Sequence, residues 1–153
     1  MMQMRHIVGK YCFWVVIFAF FGCKNQEKSM NNKLFSCAPC SIEAAINTEK
    51  NIKTIDKIQL ECFLRTIRKD CQNNAEFTEV TNSVIFAVLN TRMDLFLNVF
   101  SKSNTIDKDY ILKQISSPLL DYNINDIVLK AKETKCDTIT KKQVIKALKD
   151  IKK

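Results

Sequence analysis

Residues 75–100 read AEFTEVTNSVIFAVLNTRMDLFLNVF, and their periodicity argues for helices packed on helices. Apolar side chains recur at every fourth position of the first half, which predicts an amphipathic helix over residues 75–89. Asn73 and Glu76 have the spacing of a capping box at its start. The valines of this helical stripe are Val80, Val84 and Val88.

The next helix is predicted to begin at Thr91, because Asp94 follows it at capping-box spacing. The break over residues 90–92 is so short that we expect the two helices to form a tight antiparallel hairpin. Residues 93–100 are apolar nearly all round, which favours a buried central helix. The alternative is a helix that exposes Phe96 or Phe100 to a partner.

Residues 54–71, TIDKIQLECFLRTIRKDC, predict a further helix with apolar side chains on two sides. A helix of that kind is expected to lie between neighbours on both sides. One stripe consists of Leu60, Leu64, Ile67 and Cys71, and the opposite side carries Ile55, Ile58 and Cys62.

Three more helix starts follow toward the C-terminus, at Asp107, Asn123 and Thr140. The first of these helices is expected to stop before Pro118, and the last to bury Val144, Leu148 and Ile151. The expected fold is therefore all-α, a single small irregular bundle of about six short helices stapled by disulfides. A mixed α+β fold is the alternative, since Ile, Val and Phe also suit strands.

Composition limits the chemistry that the chain can perform. The chain has 153 residues, enough for one domain, and both glycines, the only His and the only Trp fall within the first 22. If that segment is removed, glycine-dependent phosphate loops, His-based catalysis and His-ligated metals are excluded. We therefore expect a protein that is not an enzyme, with no catalytic residue, no cofactor, no metal and no small-molecule substrate.

The N-terminus reads MMQMRHIVGKYCFWVVIFAFFGC. Arg5 and Lys10 precede an apolar run at residues 11–21, which is shorter than the about 20 residues of a membrane-spanning helix. This segment resembles a bacterial lipoprotein signal peptide, with residues 20–23 as the lipobox.

The resemblance implies cleavage between Gly22 and Cys23 and a diacylglycerol on the Cys23 sulfur. The expected organisation is a signal peptide over residues 1–22, a lipidated Cys with a flexible tether over residues 23–33, and a helical domain over residues 34–153. Lipid anchoring would place the chain at the bacterial cell envelope, on the periplasmic or surface face.

Five cysteines remain as disulfide candidates in an exported chain, namely Cys37, Cys40, Cys62, Cys71 and Cys136. On one continuous helix Cys62 and Cys71 would face opposite ways, so they could not pair with each other. The preferred pattern is one bridge from Cys37 or Cys40 to the helix and a second that involves Cys136.

Cys37-Ala-Pro-Cys40 also has the spacing of a redox pair, and a helix could follow it at Ser41. An envelope thiol–disulfide protein that uses Cys37 and Cys40 is therefore the alternative function. No strand is predicted before this motif, whereas thioredoxin-like pairs end a strand in a βαβ unit.

Positive charge is concentrated at the C-terminus, where residues 130–153 hold nine lysines and three acids. Lys142, Lys146, Lys149 and Lys153 fall on one helical face, which is suited to an acidic partner or to anionic lipid headgroups. Nucleic acid is not expected, because the segment has no Arg and no aromatic residue. The sequence thus predicts a lipid-anchored helical module that binds a protein, either an immunity-type inhibitor or an accessory subunit of an envelope complex.

Overall fold

The computed structural model describes residues 37–151, and every regular element in that range is helical. The predicted all-α fold is confirmed with seven α-helices, and the mixed α+β alternative is wrong for the described residues. The predicted signal peptide, Gly22, Cys23, the tether and Lys153 lie outside that range. The elements are α1 (Ile42–Lys50), α2 (Lys57–Thr66), a single 3-10 turn (Lys69–Cys71), α3 (Ala75–Thr91), α4 (Met93–Lys102), α5 (Lys108–Ile115), α6 (Ile124–Glu133) and α7 (Thr138–Lys149).

Short polar side chains begin most of these helices, because their oxygens accept the backbone N–H groups that a first turn leaves unpaired. The predicted caps at Asp107 and Asn123 are confirmed, and Ser41 caps α1. At α2, Asp56 and Gln59 form a reciprocal capping box.

Three predicted helix starts are displaced. Helix α4 begins at Met93, with Arg92 and not the predicted Thr91 at its N-cap position. Helix α3 is capped by Asn74 and not by Asn73, because the Asn74 side chain reaches the N–H of Phe77 at 3.0 Å. Helix α7 is capped by Asp137, three residues before the predicted Thr140, since the Asp137 carboxylate accepts the Thr140 N–H at 2.7 Å. Thr140 itself is buried in the first turn of α7.

The predicted antiparallel hairpin between α3 and α4 is wrong. The chain bends by 112° at Arg92, which ends one helix and begins the other without a side-chain cap. The Arg92 guanidinium fixes this corner by donating to the carbonyls of Lys53 and Ile55, at 3.2 and 3.1 Å. No single helix within residues 37–151 is long and apolar enough to cross a membrane, and α3 and α4 pass that test only as a bent pair.

The predicted continuous helix over residues 54–71 is also wrong, because α2 ends at Thr66. The Thr66 carbonyl accepts the N–H of Cys40 at 3.0 Å, so its hydrogen bond is to a residue outside α2 and does not continue the helix. The backbone of Ile67 is extended, and the chain resumes as the 3-10 turn that carries Cys71. Ile58, expected on an apolar face, is instead 79% exposed.

The core forms around α3 and α4, which supply most of its large side chains. Helix α1 packs on α2 and α3, α2 packs on α4, and α7 packs on α5 and α6. Helix α4 is buried, as the prediction of a central helix required, so Phe96 and Phe100 are not available to a partner. The fully buried aromatic side chains are Phe63, Phe77, Phe86, Phe96 and Phe100.

Candidate functional site

Four of the five candidate cysteines form two disulfides near the start of the described chain. Cys37 bonds to Cys62 and Cys40 bonds to Cys71, with Cα–Cα distances of 4.9 and 5.5 Å. The expected bridge through Cys136 is wrong, because that thiol is free and half-buried between α6 and α7. Both bridges can reach the short Cys37–Cys40 segment because the chain breaks after Thr66, which a continuous helix would have prevented.

This pairing bears on the predicted redox motif. Cys37 and Cys40 are bonded to different partners and not to each other. The backbone of Cys40 is left-handed, with a φ of 58°, which turns the segment onto the end of α2. The redox alternative stays a hypothesis, and it requires a Cys37–Cys40 bond in one of its two states.

Lys142, Lys146 and Lys149 form the basic row, an exposed face of α7. The opposite face of this helix buries Val144, whereas the lysine stems point outward from the bundle. Of the four lysines predicted to share this face, these three are aligned and exposed on α7, and Lys153 lies outside the described residues.

Charge on the basic row is not compensated locally. Within residues 37–151 the one salt bridge joins Arg68 to Asp70, so no carboxylate pairs with a lysine of the row. Residues 130–151 contain seven lysines and three acids, and this segment is therefore net +4. A face of this kind attracts acidic groups over a Debye length of about 8 Å at physiological salt.

Acid is expected to weaken the start of the helix that carries the basic row. The backbone N–H of Thr140 holds the pKa of the Asp137 carboxyl below its ordinary value, with smaller help from Lys108. A lowered folded-state pKa stabilises the fold above about pH 4, and that contribution disappears as pH falls through the folded pKa. Asp137→Asn keeps a capping oxygen but cannot titrate, so its Tm should fall less than that of the unchanged chain between pH 5 and 2.5. Thermal unfolding followed by circular dichroism measures the Tm of both proteins at each pH. Equal falls in Tm for the variant and the unchanged chain would refute the prediction.

A second surface feature, which the sequence reasoning missed, is the loop between α5 and α6. We call residues 116–123 the leucine loop, because Leu119 and Leu120 are adjacent and are 54% and 55% exposed. The loop borders a groove of about 940 Å³ between α6 and the end of α7, here called the leucine groove. Its apolar lining includes Leu119, Leu120, Ile124, Leu148 and Ile151.

A buried amide side chain on α3 holds the leucine loop in place. The Asn82 Nδ2 group donates to the carbonyls of Gln114 and Ser117 at 3.0 and 3.3 Å, and Oδ1 accepts the Leu119 N–H at 3.0 Å. Asn82 is fully buried, so water cannot replace these bonds without opening the core. The two exposed leucines are therefore displayed on a fixed backbone.

Asn82→Leu is expected to lower the free energy of unfolding by about 2 kcal/mol, because the Ser117 carbonyl and the Leu119 N–H lose their partner and the Gln114 carbonyl loses one of its donors. The Leu119 amide should also exchange with solvent faster, since it no longer donates to Asn82. Denaturant unfolding and hydrogen exchange measure the two effects. The matched control is Asn98→Leu on the exposed side of α4, which should change stability by less than about 0.5 kcal/mol. Equal losses in the two variants would show that Asn82 does not brace the loop.

Neither a search for metal-binding side chains nor comparison with known proteins assigns a function to this site. Within residues 37–151 no group of three or more His, Cys, Asp or Glu side chains lies close enough to hold a metal ion. Comparisons with protein-family models, with curated proteins and with solved structures find no match to this chain.

Proposed function

We propose that this protein is an exported bacterial lipoprotein, anchored through Cys23, whose helical body binds another protein that has acidic groups. The basic row would make the contact with that partner. The role would be that of an immunity-type inhibitor or of an accessory subunit of an envelope complex. No cofactor and no catalytic residue enters this proposal.

One observation carries the binding role, namely three aligned and exposed lysines without a neutralising carboxylate. Such a row keeps its full field for an incoming partner, because charge complementarity steers association and selects partners. The basic row lies on a helix whose other face is packed in the core, so its geometry is fixed by the fold.

Two further observations support an exported location. The Cys37–Cys62 and Cys40–Cys71 disulfides are of the kind that persists in oxidising compartments. The leader sequence resembles a lipoprotein signal peptide, as described above. A lipid on Cys23 and a short tether would hold the helical body close to a membrane.

The experiment reverses the charges of the basic row in the full chain, expressed in bacteria. The variant is Lys142→Glu/Lys146→Glu/Lys149→Glu, and proteins cross-linked to it in intact cells are compared with those of the unchanged chain. A matched control reverses three exposed lysines elsewhere, Lys50→Glu/Lys57→Glu/Lys113→Glu, so that both variants have the same net charge.

We expect the first variant to lose at least 80% of the recovered partner and the control to retain it. Equal recovery with both variants would contradict a role for the basic row. Recovery that is lost with both variants would point to net charge and not to this face.

A further inference from the structure

The leucine groove lies next to the basic row and shares a residue with it. Lys149 is the last lysine of the row and also lines the groove, so positive charge and apolar surface meet there. Asp121, in the leucine loop, is the one carboxylate residue among those that line this groove. The two features therefore form one surface with an apolar part and a basic part.

A stacked tyrosine forms part of the groove wall. Tyr122 lines the groove and stacks on Phe86, with ring centroids 4.3 Å apart. Its hydroxyl oxygen is buried, so the part of Tyr122 that a ligand would meet in the groove is apolar.

The shape of the groove favours a protein occupant. It is a concave site of about 940 Å³, and projecting side chains of a folded segment can fill such a site, whereas a bilayer presents a broad, flat surface. The groove therefore favours a protein segment over the membrane.

We propose that the leucine groove and the basic row form one docking surface for an amphipathic segment of a partner protein. That segment has leucine-sized apolar side chains and, about one helical turn away, carboxylates. Its apolar side chains enter the groove beside Leu119 and Leu120, while its carboxylates contact Lys149 and Lys146. This inference rests on the proposed function and names the chemistry of the partner.

The fixed backbone of the leucine loop supports this choice of site. Binding surfaces lose affinity when they must be ordered on association, and Asn82 orders this loop in advance. The groove combines exposed leucines with a lysine, which is the mixture of apolar anchors and a few polar groups that recognition sites use.

The test places a benzophenone amino acid at position 120 of the full chain in living bacteria and identifies the cross-linked peptide by mass spectrometry. Position 58 on α2, where Ile58 is 79% exposed, receives the same probe as a control. Each probe is also combined with Lys149→Glu, and with Lys113→Glu as the matched change on the exposed side of α5.

The proposal expects an adduct at position 120 to a protein segment that contains apolar residues and Asp or Glu. Its yield should fall at least fivefold with Lys149→Glu and stay within twofold with Lys113→Glu, and the probe at position 58 should not give that adduct. The proposal is overturned by an adduct to phospholipid, to a second copy of this chain or to a segment without carboxylates. A yield that Lys149→Glu leaves unchanged, or the absence of any adduct at position 120, also overturns it.

The two proposals fail in different ways. If reversal of the basic row removes the partner but position 120 captures nothing, the proposed function stands and the docking surface is wrong. If neither experiment finds a dependence on the lysines, both are wrong.

Discussion

Removal of the Cys40–Cys71 bridge, by Cys40→Ser/Cys71→Ser, should lower the free energy of unfolding by about 3.5 kcal/mol. The bridge closes a loop of 31 residues, and the free chain regains the corresponding entropy when it is cut. Removal of the Cys37–Cys62 bridge, which spans 25 residues, should have a similar effect. Loss of both would then approach the total stability of a typical domain, about 5–15 kcal/mol.

Urea unfolding, followed by circular dichroism, measures these losses in the chain without residues 1–22 and with Cys23→Ser. The control is Cys136→Ser, which removes a free thiol and should change stability by less than about 1 kcal/mol. Alkylation before reduction should add one label per chain, at Cys136, and alkylation after reduction should add five. A loss below about 1 kcal/mol for both bridge variants, or three labels before reduction, would contradict the two-bridge structure.

Removal of a buried side chain from the central helix α4 should lower the free energy of unfolding by a similar amount. Phe100→Ala is expected to destabilise the chain by about 3–5 kcal/mol, because it removes a fully buried ring and leaves a cavity. The ring also stacks on Phe96, with centroids 5.3 Å apart, and the Lys108 ammonium lies 5.8 Å from its centre. Both contacts are lost with the ring.

Phe100→Leu is the control that keeps apolar volume, and it should lose less than half as much stability. Ile58→Ala is the surface control, since that side chain is largely exposed and should contribute less than about 0.5 kcal/mol. Equal unfolding midpoints for Phe100→Ala and Ile58→Ala would contradict a buried α4.

Local sequence signals predicted the parts of the fold that depend on local interactions. Asp107 and Asn123 begin α5 and α6 as predicted, because the capping hydrogen bond joins each side chain to an N–H only three residues ahead. The stripe of Leu60, Leu64 and Ile67 is buried as predicted, although only part of it is helical. Apolar periodicity thus identified the core side chains even where the helix ended early.

Apart from the displaced helix starts, the errors lie where contacts between distant residues decide the backbone. The end of α2 depends on the backbone hydrogen bond from the Cys40 N–H to the Thr66 carbonyl. The corner between α3 and α4 depends on the hydrogen bonds that Arg92 donates to the carbonyls of Lys53 and Ile55. Neither partner is near in sequence, so no local pattern could identify them. The predicted bridge through Cys136 failed for the same reason, since it assumed a continuous helix, whereas the predicted bridge from Cys37 or Cys40 to the helix is confirmed by Cys37–Cys62.

The candidate docking surface also has one part that the sequence predicted and one part that it did not. Lysine spacing on α7 predicted the basic row, because one helix suffices to align it. The leucine loop was not predicted, since the exposure of Leu119 and Leu120 depends on Asn82, more than 30 residues earlier in the chain. Two consecutive leucines directly after Pro118, outside any apolar period, were the available signal.

Export with lipid attachment at Cys23 is the central claim, and mass spectrometry of the N-terminal peptide tests it most directly. The full chain is expressed in a bacterium, purified from the membrane fraction and digested. The account predicts a first peptide that begins at Cys23, carries a diacylglyceryl group on the sulfur and is not preceded by residues 1–22. A peptide that still begins at Met1, or one in which Cys23 has no lipid, would contradict it.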